Sequence, residues 1–292
     1  MTWAFVGVLI FSFSVPLTKK AVGGFDPFLT ATGRAVIAGA LAAVLLGVRR
    51  VPVPARRHWW PLFLTMVGAV FGWPILIALA LRHTTSAHVA VIAAFMPLAT
   101  AVIAVLRTHE RASWQFWAAA SAGTAALVAF AISQGGASRG NVEADLLIVG
   151  AVLSSAWCYV LGASVTRAMP GWQVISWVVV LALPVTLPTS IVLWLETSSH
   201  YHPDAGAWTS LILLGVSSMY VGFFAWYRGL ALAGIARGSQ VQQLQALLTL
   251  AWSALLLGEH LTASTIIAAV AVIVAVVWSQ RGRVAISAAP QE

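Results

Sequence analysis

Four glutamines lie within one apolar stretch, Gly234–Glu259, that is long enough to cross a lipid bilayer. If this stretch is a helix, Gln242, Gln245, Thr249 and Ser253 share one stripe. Unsatisfied amides in hydrocarbon are costly, so the stripe must face protein or a wet cavity. It could hold the ammonium and carboxylate of an amino acid without a fixed charge, because amides both donate and accept. Hydrogen bonding to a neighbouring helix is the other interpretation.

An aromatic stripe occurs in the preceding apolar segment. Ser217, Tyr220, Phe224 and Tyr227 follow each other at i, i+3, i+7 and i+10, which places them on one helical face. Such a face could bind planar or cationic substrates by stacking and cation–π contact. Ordinary packing explains the pattern equally well, with Tyr227 in the interfacial aromatic belt. Ser12, in the first apolar segment, is a further candidate for a cavity wall.

Three residues near the start of the fourth apolar segment form another candidate group. His88 shares a predicted helical face with Ile92 and Phe95. The imidazole could relay a proton or bind a carboxylate, and a satisfied histidine at a helix end is the competing interpretation. Trp73 and Trp157 fall in the middle of apolar segments, unlike most tryptophans of this chain, and are therefore candidates for a cavity wall.

Two other polar features are interpreted as structural. Arg34 lies about two turns into the second apolar segment, from which it could snorkel outward or pair. Gln240 and Gln243 lie on a different helical face from the glutamine stripe, near the helix start, where an interfacial role is expected.

The distribution of carboxylates bears on ion coupling. Carriers coupled to protons or sodium often keep a carboxylate in mid-membrane. None is expected there in this chain, which predicts electroneutral movement of zwitterions without a co-ion. The acidic residues fall in loops, at segment ends or in the C-terminal tail: Asp26, Glu110, Glu143, Asp145, Glu196, Asp204, Glu259 and Glu292. No cofactor and no metal site is expected.

The elements that position these side chains are membrane helices. Of 292 residues, 60% are apolar and 8% charged, far from the quarter that soluble domains carry. Runs of about twenty apolar residues recur, as a hydrocarbon core of about 30 Å requires. The sequence thus predicts an all-α polytopic membrane protein. The ten predicted segments are Trp3–Thr18, Phe28–Val48, Trp59–Leu81, Ser86–Leu106, Trp114–Ile132, Leu146–Ala168, Trp172–Leu195, Trp208–Leu230, Ile235–Leu257 and Thr262–Ser279.

The net charge of +8 serves as an orientation signal, since the basic residues cluster in short loops. With the N-terminus inside, eleven Lys and Arg residues fall in inside loops and the tail and four fall outside. Both termini are therefore predicted to be cytoplasmic, although Lys19 and Lys20 oppose this locally. A bacterial inner membrane, bound lipid and no nucleic-acid partner are expected.

The two halves of the chain resemble each other. A shift of 149 residues aligns Thr100 with Thr249 and Glu110 with Glu259. A Gly/Ser-rich linker separates the halves, so residues 1–136 and 142–280 are predicted as five-helix repeats and 281–292 as a cytoplasmic, disordered tail. An odd number of helices inverts the second copy, and inverted repeats with a midplane site are typical of secondary transporters.

These features resemble the EamA family of the drug/metabolite transporter superfamily. The matching motifs are Gly258-Glu259, the weaker His109-Glu110, Arg34, and Pro97 within AAFMPLATAV. The second repeat departs from the pattern by having Ala246 where Pro97 aligns. Within the family the chain is most similar to bacterial aromatic-amino-acid exporters. The resemblance implies metabolite export along a pathway lined by the fourth and ninth helices.

Export by alternating access is thus the predicted function, with aromatic and other neutral amino acids as substrates. A multidrug or organic-cation exporter of the same family is the alternative. An intramembrane enzyme is disfavoured because HExxH and paired membrane aspartates are lacking in the sequence. A channel is disfavoured because no filter sequence or charged ring stands out. A monomer is plausible, and the sequence leaves the oligomeric state open.

Overall fold

A computed structural model describes the backbone of most of the chain. The described residues are 1–84, 89, 92–108, 110–131, 142–257, 267, 270–271, 273–275, 277–278 and 284–286. Within this part the protein is built almost entirely from helices. The tenth predicted segment, Thr262–Ser279, lies largely outside the described residues.

The first half contains helices joined by short connections. Their bounds are α1 Thr2–Ser12, α2 Ser14–Ala21, α3 Pro27–Val48, α4 Trp59–Met66, α5 Trp73–His83, α6 Met96–Thr108 and α7 Trp114–Ala131. The start of α3 shows why a helix begins there. The Asp26 carboxylate accepts from Phe28 N and Leu29 N, at 2.8 and 3.2 Å, and Pro27 occupies the first helical position.

The second half is also helical. Its helices are α8 Val142–Val165, α9 Gly171–Thr197, α10 Ala205–Leu213, α11 Gly222–Ala233, α12 Ile235–Ser239 and α13 Gln243–Leu257. A 3₁₀ turn, Gln240–Gln242, joins α12 to α13. The predicted span Ile235–Leu257 therefore has the right ends, but it is not one uniform α-helix.

Among the described residues, six helical runs are long and apolar enough to cross a membrane, and Met96–Arg107 is a shorter apolar helix. The six are Thr2–Ala21, Pro27–Val48, Arg56–His83, Val142–Val165, Gly171–Thr197 and Ala205–Ala233. Each corresponds to one of the predicted segments. The observed ends differ from the predicted ones by four residues or fewer. The count of ten and the inversion of the repeats stay predictions.

Two membrane runs contain a π-helix, which sequence periodicity does not reveal. Val67–Gly72 joins α4 to α5, and Leu214–Val221 joins α10 to α11. The two lie at matching places under the 149-residue shift, because 67 and 72 map to 216 and 221. This correspondence supports the predicted repeat. π-Helical turns are frequent at functional sites.

The helices pack around a common core. Helix α3 packs along α9, α1 packs along α11, and α8 contacts both α5 and α6. The α1–α11 contact is close because glycines face it: a Cβ on Gly7 would meet the Trp226 backbone at 2.9 Å, and one on Gly229 would meet Ala4 N at 2.4 Å. Trp226 is wholly buried at this interface, whereas the equally buried Tyr227 donates its hydroxyl to Cys158 O on α8.

A short strand pair adds a correction to the predicted tail. Strand β1, Glu110–Ala112, pairs antiparallel with β2, Val284–Ile286. Three tail residues therefore have a fixed position instead of the predicted disorder. The pairing places the start of the tail beside the connection between α6 and α7.

Candidate functional site

A small cavity lies at the centre of the bundle. Its aromatic lining comes from Phe11, Trp73, Tyr159 and Phe223, and its polar lining from Ser14, Arg34, Ser155, Ser218 and Gln245. The cavity leaves about 30 Å³ for the centres of water-sized molecules. That is room for a water molecule or two and far below the few hundred Å³ of a metabolite site.

One wall of the cavity is a cluster of aromatic rings from α1, α8 and α11. The Phe11 ring lies 5.0 Å from Phe223, edge to face, and 6.4 Å from Tyr159, stacked. Trp226 completes the cluster, 5.3 Å from Tyr159 and 6.1 Å from Phe11. Edge-to-face and offset pairs of this kind are favourable and resist rotation of the rings. The wall therefore presents rigid aromatic surface to the cavity.

The glutamine stripe adjoins this wall. Gln242 is buried, and its Nε2 donates to the Met96 sulfur at 3.1 Å, to Gln245 Oε1 at 3.4 Å and to the Tyr159 hydroxyl at 3.5 Å. Its Oε1 is buried and has no hydrogen-bond partner among the described residues. Gln245 itself lines the cavity, and Gln242 lies behind that lining, in contact with Gln245, Tyr159 and Met96.

Thr249 and Ser12 belong to a tether beside the site. Ser12 O has no helical donor because the residue four places on is Pro16, which lacks an N–H group. Thr249 Oγ1 donates to this carbonyl at 2.9 Å, and Trp252 Nε1 donates to Ser12 Oγ at 2.9 Å. The two predicted residues therefore join the α1–α2 break to α13, and neither lines the central cavity. The side chain of Ser253 lies outside the described part of the structure.

Gln240 and Gln243 do not lie at an interface with the membrane surface, so that expectation was wrong. Both are fully buried. Gln243 Nε2 donates to Gln240 Oε1 at 2.8 Å and to Ala120 O at 3.3 Å, and Gln240 Nε2 donates to Pro97 O at 3.3 Å. They connect the 3₁₀ turn and α13 to α6 and α7.

Arg34 lies on the cavity wall, a position that the sequence analysis did not assign to it. Its side chain is 4% exposed. Nη2 donates to Ser218 Oγ at 2.8 Å, while Nε is buried without a partner in the described part of the chain. The contact forms because Gly215 lets the π-helix approach α3: a Cβ there would lie 2.7 Å from Ile37 Cβ and 3.0 Å from Arg34 O. A charge placed two turns inside a membrane helix was the available signal.

The predicted stripe from Ser217 to Tyr227 forms only in part, and its aromatic members do not line the central cavity: Phe224 and Tyr227 line a groove of their own. The Leu214–Val221 π-helix, with its i→i+5 bonds, changes the register that a 3.6-residue period assumes. Ser218 and Phe223 consequently face the central cavity, and Tyr220 bonds Ser176 Oγ at 2.8 Å instead. Phe224 lies 4.7 Å from Tyr220 and lines a separate groove, of about 420 Å³, with Trp3, Trp172 and Arg228.

The remaining candidates are distributed differently. Trp73 lines the central cavity. Ile92 is half-buried against the core, whereas Phe95 is 46% exposed. Trp157 lies on the outer surface of α8 and is 37% exposed. The Arg107 guanidinium lies over its ring, 5.1 Å from the ring centroid. His88 lies outside the described residues.

Comparison with known proteins gives a consistent result. The sequence model of the EamA-like transporter family matches residues 1–132 and 142–280. An uncharacterized transporter, YdeK of Bacillus subtilis (strain 168), is 40% identical over 277 residues, 95% of each chain. The aromatic amino acid exporter YddG of Ancylobacter novellus is 23% identical over 227 residues, 77% of each chain. A solved crystal structure superposes with a TM-score of 0.78 at 18% identity, covering 95% of this chain and 96% of its own, which shows a shared fold.

Proposed function

This chain belongs to the EamA-like transporter family, and we propose that it exports small amphipathic metabolites, aromatic amino acids above all. The family makes it a multi-pass membrane transporter of small molecules. Two inverted five-helix repeats would alternate access to the central cavity from the two sides of a bacterial inner membrane, with both termini in the cytoplasm. The named activity of the YddG relative supports the substrate class.

The observation that carries this proposal is the composition of the cavity edge. Rings of Phe11, Tyr159 and Phe223 stand next to the Gln242–Gln245 amide pair, whose Gln242 Oε1 is buried without a partner among the described residues. An aromatic amino acid offers the complement of this surface. Its ring can stack on the aromatic wall, and its ammonium can donate to the open amide oxygen.

The small volume of the cavity implies movement. About 30 Å³ cannot hold an amino acid, so the described conformation is closed around the site. The helices nearest the cavity contain irregular turns at which they can bend: the α1–α2 break before Pro16, the two π-helices, and the Gln240–Gln242 turn. Small changes at these turns would open the cavity to one side or the other.

An organic-cation exporter is the alternative within the family. A cationic substrate would meet the fixed positive charge of Arg34 on the cavity wall, which opposes its binding. The charge of Arg34 therefore counts against that alternative, although the aromatic wall alone could also accept a cation.

The test is uptake of labelled tryptophan, phenylalanine, threonine and leucine into proteoliposomes. We expect saturable, stereoselective aromatic uptake that is lost in Gln242→Ala/Gln245→Ala. Gln115→Ala is the matched control, since Gln115 is exposed at the start of α7. Full activity of the double variant would mean that the two glutamines pack against their neighbours and do not bind the substrate.

Ion coupling is tested in the same vesicles. The described carboxylates lie at helix ends or in connections, so we expect zwitterion uptake to be indifferent to an imposed pH gradient and to membrane potential. Uptake that collapses when a pH gradient is abolished would contradict transport without a co-ion.

A further inference from the structure

We infer that Arg34 binds the carboxylate of the transported substrate, which would make the site selective for organic carboxylates. This inference rests on the proposed transport of amino acids and names the group that holds them. Arg34 is only 4% exposed and lies inside the helical bundle, on the wall of the central cavity. A guanidinium stays charged in such a place, so it needs an anion or a full set of acceptors.

The chain supplies only part of what Arg34 requires. Of its five N–H donors, one reaches the neutral Ser218 hydroxyl at 2.8 Å, and Nε has no partner within the described residues. A hydroxyl does not neutralise the charge. An unpaired charge in a protein interior costs several kcal/mol, and a charged partner offsets most of that cost. The missing partner is therefore anionic.

None of the carboxylates in the described part of the chain is that partner. Asp26, on the same helix, accepts from Phe28 N and Leu29 N at the helix start, two turns from Arg34. The other described carboxylates lie near helix ends or in β1: Glu110, Glu143, Asp145, Glu196 and Asp204. Among the described residues no carboxylate fills this role, and the guanidinium lines the cavity that a substrate would enter, so we assign the anion to the substrate.

The geometry around Arg34 prepares it for a planar anion. Ser218 holds one Nη2 donor, and the close approach of Gly215 to Ile37 and to the Arg34 backbone fixes the distance between α3 and the π-helix. The guanidinium is thereby oriented before a ligand arrives. Carboxylates match the parallel donors of a guanidinium better than spherical anions do.

A second polar group, Gln242, lies behind the cavity lining on the side of Tyr159 and Gln245. Tyr159 lines the same cavity as Arg34, and its hydroxyl accepts from Gln242 Nε2, whose Oε1 remains open. A donor-rich end at Arg34 and an acceptor at Gln242 form a pair of opposite polarity. This polarity matches a carboxylate and an ammonium on one small molecule.

Competition by analogues tests the assignment on the unaltered protein. Against labelled phenylalanine, 3-phenylpropionate keeps the carboxylate and loses the ammonium, whereas phenylalaninamide and phenethylamine lose the carboxylate. We expect 3-phenylpropionate to compete and the two amines to compete about 10- to 100-fold more weakly than phenylalanine, as loss of a charged hydrogen bond implies. Equal competition by phenethylamine would overturn the inference.

Variants test the residue itself. Arg34→Gln should raise KM for phenylalanine about 10- to 100-fold, and Arg34→Lys should fall between Arg34→Gln and the wild type because it keeps a point charge without the fork of donors. Arg82→Gln is the control, since Arg82 is exposed at the end of α5. A wild-type KM in Arg34→Gln would refute the role.

A binding measurement separates this inference from the proposed function and guards against misfolded variants. Thermal stabilisation of the detergent-purified wild type by 3-phenylpropionate, lost in Arg34→Gln protein that elutes as a single symmetric species, would uphold the carboxylate site even if no amino acid were transported. Equal stabilisation by chloride would assign Arg34 to inorganic anions and contradict the inference. Amino-acid transport without carboxylate selectivity would leave the proposed function intact and remove the role of Arg34.

Discussion

A substitution at the tightest helix contact makes the sharpest stability prediction. Gly229 of α11 faces the backbone of α1, and a Cβ there would lie 2.4 Å from Ala4 N and 2.6 Å from Ala4 Cα. Ordinary contacts begin near 3.4 Å, so Gly229→Ala requires the two helices to move apart by about 1 Å. Backbone atoms cannot rotate out of the way as a side chain can.

The expected cost follows from overpacking. Extra methyl groups in a packed core destabilise by about 1–3 kcal/mol, and the strain here falls on a backbone–backbone contact. The gain of about 1 kcal/mol from replacing helical glycine by alanine offsets only part of it. Because α1 carries Phe11 and α11 carries Phe223, separation of the helices would also loosen the aromatic wall of the cavity.

Gly47→Ala provides the matched control. Gly47 is also helical, but nothing lies within 4 Å of the added Cβ. We expect a slight stabilisation of up to about 1 kcal/mol from helix propensity alone. Heating of both purified variants in detergent, followed by size-exclusion chromatography, measures the difference. If Gly229→Ala survives heating as well as Gly47→Ala, the close α1–α11 packing is wrong.

Three further substitutions test local contacts. Asp26→Ala should cost about 1 kcal/mol through loss of the cap of α3, whereas Asp26→Asn should be nearly neutral, and thermal denaturation compares the two. Thr249→Val should cost about 1–3 kcal/mol because it leaves the buried Ser12 carbonyl unpaired, and Thr249→Ser should recover most of that stability in the same assay. Tyr220→Phe should cost about 0.6 kcal/mol by losing the bond to Ser176 and should leave the KM for transport unchanged, since Tyr220 lies outside the central cavity. A large rise in KM for Tyr220→Phe would restore the predicted aromatic stripe as a binding face.

The positions of the membrane helices could be predicted from sequence because they depend on local composition. The apolar run predicted at Phe28–Val48 appears as Pro27–Val48, and the one predicted at Trp114–Ile132 appears as Trp114–Ala131. Hydrocarbon thickness alone sets such lengths, whichever neighbours the helices have. Gln245 likewise lies on the cavity wall, since polar residues seldom face lipid. Of the two mid-segment tryptophans, Trp73 lies on the cavity wall and Trp157 faces outward.

The rest of the site depends on contacts that the sequence does not encode locally. Arg34 meets Ser218, 184 residues away, and only the packing of α3 against a π-helix brings them together. The same π-helix rotates Phe223 towards the cavity and Phe224 away from it, which a fixed 3.6-residue period cannot anticipate. The sequence did not single out Tyr159, because its place in the aromatic wall depends on ring contacts with Phe11 and Trp226, which lie on other helices.

The orientation prediction gains one structural argument. Because β1 and β2 pair, the start of the C-terminal tail and the connection between α6 and α7 lie on the same side of the membrane. Arg107, in the last turn of α6, and Arg111, in β1, lie on that side, and basic residues of this kind are typical of the cytoplasmic side of a membrane. A cytoplasmic C-terminus stays a prediction.

Uptake of labelled L-tryptophan by the purified wild-type protein in proteoliposomes tests the central claim most directly. The account predicts saturable uptake, accelerated by unlabelled L-phenylalanine on the opposite side and unaffected by D-tryptophan. Counterflow of this kind requires one site that faces the two sides in turn. Uptake that rises linearly with concentration, or that appears equally in protein-free vesicles, would contradict a substrate site for aromatic amino acids in the central cavity.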